Sequence, residues 1–124
     1  MKDELSDVWE RYVRSWKVAS AAEKREIFPT CLSRHCVYTD PLTQAKGWDE
    51  LLAYMTGFHE QIPGGHFVTE QFFAHHQRSA ARWKMLTGAG ATVGEGISYA
   101  EYDEQQRLVS MTGFFEPPES PKPA

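Results

Sequence analysis

Apolar residues recur at helical spacing in the first half of the chain. Residues 3 to about 19 are predicted to form an amphipathic helix, because apolar side chains occur at i, i+3, i+4 and i+7. These positions are Leu5, Val8, Trp9, Tyr12, Val13 and Trp16. Ser20, with Glu23 three residues later, predicts a capping box that opens a second helix. That helix meets Pro29, which is not expected deep inside a helix, while Cys31, Leu32 and His35 continue its apolar face. A third helix is predicted from about Gly47 to Gln61.

The second half of the chain alternates between apolar and polar residues, which is typical of strands. Four strands are predicted, at His66–Gln77, Ser79–Thr87, Thr92–Tyr102 and Arg107–Glu116. The connections between them are short enough for hairpins. A short extended run from Cys36 to Thr39 precedes the third helix. Helices followed by an antiparallel meander predict an α+β domain with helices packed on one face of a sheet.

The length of 124 residues predicts a single domain, which we assign to residues 1–116. Residues 117–124 contain four prolines and are expected to form a disordered tail, because proline cannot donate a backbone hydrogen bond.

The charge pattern excludes several classes of partner. The net charge is −4 and the 13 Lys and Arg residues are spread along the chain, so neither a nucleic-acid surface nor a membrane partner is expected. The N-terminal residues lack the apolar run of an export signal. We therefore expect a cytoplasmic protein whose two cysteines, Cys31 and Cys36, are reduced.

The segment Val37-Tyr38-Thr39-Asp40-Pro41 is the sharpest chemical feature of the sequence. It places a carboxylate at the end of a short strand, beside apolar and aromatic residues. An aspartate facing an apolar cavity can serve as a general base. The alternative is an aspartate that initiates a turn and bonds to nearby backbone, which is common before proline. The segment alone leaves both interpretations open.

Several further markers occur in a characteristic order along the chain. They are Arg11-Tyr12, Tyr38-Thr39-Asp40-Pro41, Gly47, Tyr102-Asp103, Arg107-Leu108 and the closing stretch from Met111 to Glu116. In this order the chain resembles the SnoaL-like and ketosteroid-isomerase-like branch of the nuclear-transport-factor-2-like superfamily, from Leu5 to Glu116. The resemblance implies a cystatin-like cone, in which three helices wrap a curved antiparallel sheet around an internal pocket.

The resemblance also implies roles for individual residues. Asp40 matches the catalytic aspartate that moves a proton between carbons, and Tyr12 resembles the tyrosine that donates a hydrogen bond to the oxyanion. Ser98 stands where the isomerases carry a protonated aspartic acid. A serine hydroxyl is a weaker donor, and loss of a strong oxyanion donor costs about 2.7–4 kcal/mol. Steroid isomerisation itself is therefore not expected.

The large side chains either fill the core or line the pocket, and the sequence leaves both open. The resemblance places Met111 and Phe115 at pocket positions. The full set of candidate ligand-binding residues is Trp16, Tyr38, Trp48, Phe58, Trp83, Met85, Met111 and Phe115.

Histidine is the other candidate for acid–base chemistry. His75 and His76 are predicted to lie on a strand, so that one ring faces the cavity, and His76 is taken as the catalytic candidate. His35 also precedes the Asp40 segment. The alternative is a half-exposed histidine without a catalytic role. Neighbouring strand residues diverge, so a metal site from His75, His76 and Asp40 is not expected, and no cofactor is expected.

Together these features predict an acid–base enzyme of the isomerase, dehydratase or cyclase type that acts on a hydrophobic, carbonyl-containing small molecule, with Asp40 as base. The alternative is a non-catalytic module of the same fold that binds a ligand or serves in protein assembly. A homodimer is expected through the outer face of the sheet, where Leu86, Ile97 and Tyr99 are predicted to lie.

Overall fold

The computed structural model describes residues 2–116, which form three helices and six strands. The helices are α1 (Lys2–Lys17), α2 (Ala21–Cys31) and α3 (Gly47–Gln61). The strands are β1 (Leu32–Asp40), β2 (Thr43–Lys46), β3 (His66–His75), β4 (Arg78–Leu86), β5 (Thr92–Tyr102) and β6 (Leu108–Phe114). The predicted Pro-rich tail lies outside the described residues. Within the described part of the chain, no helix is long and apolar enough to cross a bilayer.

All six strands belong to one curved sheet in the order β2-β1-β6-β5-β4-β3. The predicted meander is present, since β3 to β6 pair in sequence as antiparallel neighbours. The sheet is nevertheless mixed, because β1 runs parallel to β6. It also stays open between β2 and β3 rather than closing into a barrel. The predicted α+β class, with helices packed on a curved sheet, is confirmed.

The second helix and the first strand differ from the prediction. Ser20 Oγ accepts the N–H of Glu23 at 3.1 Å, which is the expected cap of α2. Pro29 lies inside α2, contrary to expectation, two residues before the helix ends. The apolar face does not continue beyond Cys31 as helix. Leu32 instead begins β1 and pairs with Leu108, and His35 is exposed on this strand.

Trp16 of α1 lies at the centre of an aromatic core between α3 and the sheet. Its ring centroid lies 5.3–6.1 Å from those of Tyr38, Tyr54, Phe58 and Phe67. The apolar stripe predicted for the first helix is therefore its buried face. Edge-to-face contacts of this kind stabilise the packing beyond the apolar area that they bury.

Lys24 of α2 is buried, with 1% of its surface exposed, and forms hydrogen bonds at the C-terminal end of α1. Its Nζ donates to the carbonyl oxygens of Ser15 at 2.9 Å and Val18 at 2.7 Å. It also lies 3.5 Å from Nδ1 of His59, whose Nε2 faces the carbonyl oxygen of Gly65 at 3.0 Å. A carbonyl only accepts, so we assign the ring proton to Nε2. Desolvation lowers the pKa of Lys24 to about 8. The contacts tie all three helices to the start of β3.

The outer face of the sheet carries exposed apolar side chains. Phe73 is 62% exposed, Ile97 45% and Phe114 61%. Ile97 pairs with both Arg82 and Phe114, while Phe73 pairs with Ala80, so these side chains occupy one face. We call Phe73, Ile97 and Phe114 the outer patch.

Both cysteines are free and buried in the core. Desolvation raises the pKa of Cys31 to about 12 and that of Cys36 to about 11. The folded chain therefore keeps both thiol protons at a pH where the unfolded chain has lost them.

We expect the thiols to make folding pH-dependent above about pH 9. Because their pKa values are raised in the folded state, their contribution to stability is complete below the unfolded pKa and is lost as pH rises towards 11–12. The limiting slope is about 1.4 kcal/mol per pH unit for each thiol. The free energy of unfolding should be measured from pH 7 to 11 for the wild type and for Cys31→Ala with Cys36→Ala. Taking the difference removes the shared contributions of Lys24 and the tyrosines. A difference that stays constant over this range would contradict the account.

Candidate functional site

Asp40 is the last residue of β1, at the turn into β2, and is 9% exposed. Its Oδ1 accepts the backbone N–H groups of Leu42 at 2.8 Å and Thr43 at 3.0 Å. Its Oδ2 accepts the hydroxyls of Tyr38 at 2.6 Å and Tyr54 at 2.8 Å. The sequence left open whether Asp40 stabilises its own turn or faces an apolar interior. The structure shows one carboxylate oxygen in each of these two environments. One oxygen holds the turn, and the other faces the aromatic interior.

The two tyrosines reach Asp40 from different elements. Tyr38 lies two residues earlier on β1, whereas Tyr54 comes from α3. Burial raises the pKa of both phenols above their ordinary value, and the Asp40 carboxylate adds to the shift. Both phenols therefore keep their protons at neutral pH and act as donors to Oδ2.

A partly open cavity of about 30 Å³ lies beside this cluster, between α1 and the inner face of the sheet. It is lined by Trp9, Tyr12, Val13, Trp16, Tyr38, Phe67, Trp83 and Ser98. One water needs about 10–15 Å³ of such space, so the cavity accommodates about two waters. Aromatic rings fill most of the interior that the resemblance assigned to a pocket.

Tyr12 and Ser98 line the cavity, and each carries a hydroxyl group. Tyr12 is buried on α1, and its desolvation raises the pKa of its phenol above the ordinary range. The indole Nε1 of Trp83 donates to Ser98 Oγ at 2.9 Å. Because the Ser98 oxygen accepts this bond, its own proton remains available for a group in the cavity.

Gly113 on β6 lies close to the side chains of Asp40, Ser98 and Tyr38. A Cβ atom at Gly113 would lie 3.7 Å from both Asp40 Cβ and Ser98 Oγ, and 4.0 Å from the Tyr38 hydroxyl. The Asp40 carboxylate does not itself line the cavity, because Tyr38 lies between the two. Tyr38 is the residue that both lines the cavity and bonds to Asp40.

Among the eight candidate ligand-binding residues, Trp16, Tyr38 and Trp83 line this cavity. Phe58 lies behind the wall and stacks on Phe67, with centroids 5.3 Å apart. Met111 is buried in the core opposite Tyr38 in the register of β1 and β6.

Three further candidates also lie away from the cavity. Phe115 packs beside Trp83, with centroids 6.0 Å apart. Met85 lies near Gly94, where its methyl group would be 3.1 Å from an added Cβ. Trp48 packs on Phe28, and its Nε1 donates to the carbonyl of Ser33 at 2.9 Å. The sequence identified these side chains as large and apolar but could not distinguish core from pocket wall.

The structure does not bring the histidines to the cavity. β3 ends at His75, and His76 and Gln77 form a two-residue hairpin turn with φ values of 48° and 62°. His75, His76 and His35 are all exposed. The prediction that His76 lies on a strand and could face the pocket is therefore wrong, since the strand ends at His75, two residues before the predicted end at Gln77. Among the described side chains, no group of three His, Cys, Asp or Glu residues could hold a metal ion.

Tyr54 was not predicted as a site residue, although its helical spacing indicates an inward position. Tyr54 follows Leu51 by three residues and precedes Phe58 by four, so helical spacing places it on the inward face of α3. Trp9, Val13 and Phe67 were likewise not selected as lining residues. Trp9 and Val13 lie on the buried side of α1. Phe67 occupies an inward-facing position of the alternating pattern at the start of β3.

The family model of the SnoaL-like domain matches residues 9–111. The chain therefore belongs to the SnoaL-like family. A search of curated proteins finds no match.

Solved structures of low sequence identity share the fold. A provisionally named isomerase of the SnoaL-like family from Agrobacterium tumefaciens superimposes with a TM-score of 0.84 at 19% identity, over 93% of this chain and 99% of that chain. A provisionally named SnoaL-like polyketide cyclase from Jannaschia sp. CCS1 gives 0.74 at 12% identity, over 93% and 87%. A cystatin-like protein from Nostoc punctiforme gives 0.74 at 12%, over 94% and 92%.

Proposed function

We propose that this SnoaL-like protein is an acid–base enzyme of the isomerase, dehydratase or cyclase type that acts on a hydrophobic carbonyl compound. The names of two similar structures, an isomerase and a polyketide cyclase, support this class of reaction. The observation that carries the proposal is the buried Asp40 carboxylate, which accepts a hydrogen bond from the hydroxyl of Tyr38, a residue of the cavity wall. A buried carboxylate linked to a cavity is suited to proton transfer.

In this proposal Asp40 is the final proton acceptor and Tyr38 connects it to the substrate. The Tyr38 oxygen takes a proton from the carbon next to the substrate carbonyl, while the Tyr38 hydroxyl proton moves 2.6 Å to Asp40 Oδ2. The electron pair of the broken C–H bond forms the enolate. The transfer leaves Tyr38 neutral and Asp40 protonated, so no tyrosinate forms in the buried site.

Tyr12 and Ser98 stabilise the enolate oxygen by donating hydrogen bonds from the cavity wall. Reversal of the relay at another carbon gives an isomer, whereas departure of a leaving group gives an unsaturated product. Ser98 is a weaker donor than a protonated aspartic acid, which favours substrates whose enolate is already stabilised. This distinguishes the chain from the ketosteroid isomerases that it resembles.

The alternative, a non-catalytic ligand-binding module, has its own supporting observation. Asp40 Oδ1 bonds to the backbone of its own turn, as a structural aspartate does. In this case Tyr38 and Tyr54 serve the carboxylate equally, and neither is needed for chemistry.

Replacing each tyrosine by phenylalanine separates the two functions. Tyr38→Phe and Tyr54→Phe each remove one hydroxyl donor from the same oxygen, so each should destabilise the fold by about 1.5–3 kcal/mol. Of these two tyrosines, Tyr38 lines the cavity and Tyr54 does not. We expect Tyr38→Phe to reduce turnover at least 100-fold, in line with general acid–base catalysis, and Tyr54→Phe to reduce it less than tenfold.

Turnover can be measured without the natural substrate. The assay is deuterium incorporation from D₂O next to the carbonyl of a small ring-fused ketone such as 2-tetralone, followed by NMR. Exchange catalysed equally by the wild type and Tyr38→Phe would contradict the relay. Binding of the ketone without any catalysed exchange would favour the ligand-binding module.

We also propose a homodimer formed through the outer patch, and a cytoplasmic location that fits the two free thiols. Phe73 and Phe114 are more than half exposed on one face of the sheet, an arrangement typical of an association surface.

The dimer is testable by light scattering at micromolar concentration. The wild type should give twice the 14.2 kDa chain mass, and Phe73→Lys with Phe114→Lys should give a single-chain mass. Leu42→Lys is the control, because Leu42 is 59% exposed but lies in the β1–β2 turn. A wild-type particle of 14.2 kDa would contradict this proposal.

A further inference from the structure

A surface groove of about 580 Å³ runs between α1 and the first residues of β3. Ligand sites commonly measure about 300–1,000 Å³, so the groove is large enough for a small organic molecule. Its apolar residues are Val13, Phe67 and Val68. Val68 is 45% exposed, which leaves an apolar side chain in contact with water.

The groove is positively charged near the end of α1. Arg14 and Lys17 line it, are exposed, and lie on the last turn of the helix. Glu10 lies one turn before Arg14, but the ion pairs among the described residues are Arg25–Asp49 and Lys84–Glu70, neither of which involves this helix. Among the described ion pairs, none involves Arg14 or Lys17, so both side chains can pair with an anionic group in the groove.

A further cation of the groove is already engaged. Arg11 Nη1 donates to the carbonyl oxygen of Thr30 at 3.3 Å, so this guanidinium is directed to α2. Asp7 and Glu10 lie towards the start of α1, about 6–10 Å along the helix axis from Arg14. The charges thus separate along the groove, with the cationic end beside Phe67.

Val13 and Phe67 line both the groove and the inner cavity. These two side chains therefore form a shared wall between the outer groove and the inner cavity. The cavity of about 30 Å³ is too small for a ring, so entry of a substrate requires Val13 and Phe67 to move apart. A molecule seated in the groove would already lie against these side chains.

We infer that the groove binds an amphiphilic organic anion, with its acidic group between Arg14 and Lys17 and its apolar part on Val13 and Phe67. The acidic group is a carboxylate, sulfonate or phosphate, for which two adjacent cations are suited. As a binding site the groove stands on its own geometry. Its role as the entry to the cavity, with the reacting carbonyl innermost, rests on the proposed function.

Two fluorescent probes that differ in one charged group test this inference. 1-Anilinonaphthalene-8-sulfonate carries the anion, whereas N-phenyl-1-naphthylamine has the same rings without it. Arg14→Gln with Lys17→Gln should weaken binding of the sulfonate probe at least tenfold and change binding of the neutral probe less than twofold. Melting curves of this variant check that loss of two cations at the end of α1 has not unfolded the helix.

The matched control is Arg25→Gln with Lys46→Gln, which removes two exposed cations that line neither the groove nor the outer patch. Wild-type affinity for the sulfonate probe in this control supports the groove. Equal weakening in both double variants, or no binding of the sulfonate probe to the wild type, would overturn the inference. Failure of the groove is thus distinguishable from failure of the catalytic proposal, which is measured by deuterium exchange.

Discussion

The Asp40 carboxylate is the constraint on which the candidate site depends. Four donors converge on it: two N–H groups of the β1–β2 turn and the hydroxyls of Tyr38 and Tyr54. Burying a carboxylate is costly unless such donors replace its water. Removing the charge would in turn leave several buried donors without a partner. The turn, the end of β1 and the inward face of α3 are therefore held together by one side chain.

The same arrangement links stability to chemistry. An aspartate held only by its turn would have no connection to the cavity, and one directed freely into the cavity would lack support. Here the turn fixes Oδ1, so that Oδ2 stays 2.6 Å from a hydroxyl on the cavity wall. Gly113 adjoins the carboxylate, Ser98 and Tyr38, and an added Cβ would be in ordinary contact with all three. The ring of Trp16 packs against both Tyr38 and Tyr54, so the donors to Oδ2 are partly buried, which strengthens their hydrogen bonds.

Local patterns predicted most of the fold. The bounds of α3 and of β5 follow from periodicity, and Ser20 marks the start of α2 through its side chain. The parallel pairing of β1 with β6 could not be predicted, because it joins segments far apart in the chain. For the site, the resemblance predicted roles for Asp40, Tyr12 and Ser98, whereas the remaining contacts depend on how the elements pack. Tyr54 bonds to Asp40 across the helix–sheet interface, and a two-residue turn removes His76 from the interior.

Proton NMR in water tests the central claim most directly. Hydroxyl protons that are buried and bonded to a carboxylate exchange slowly with solvent and resonate well downfield of ordinary phenol protons. The account expects two such signals, from Tyr38 and Tyr54. Tyr38→Phe should remove one and shift the other, and Tyr54→Phe should do the converse. A downfield region that is empty in the wild type, or identical in the three proteins, would contradict the convergence of both tyrosines on Asp40.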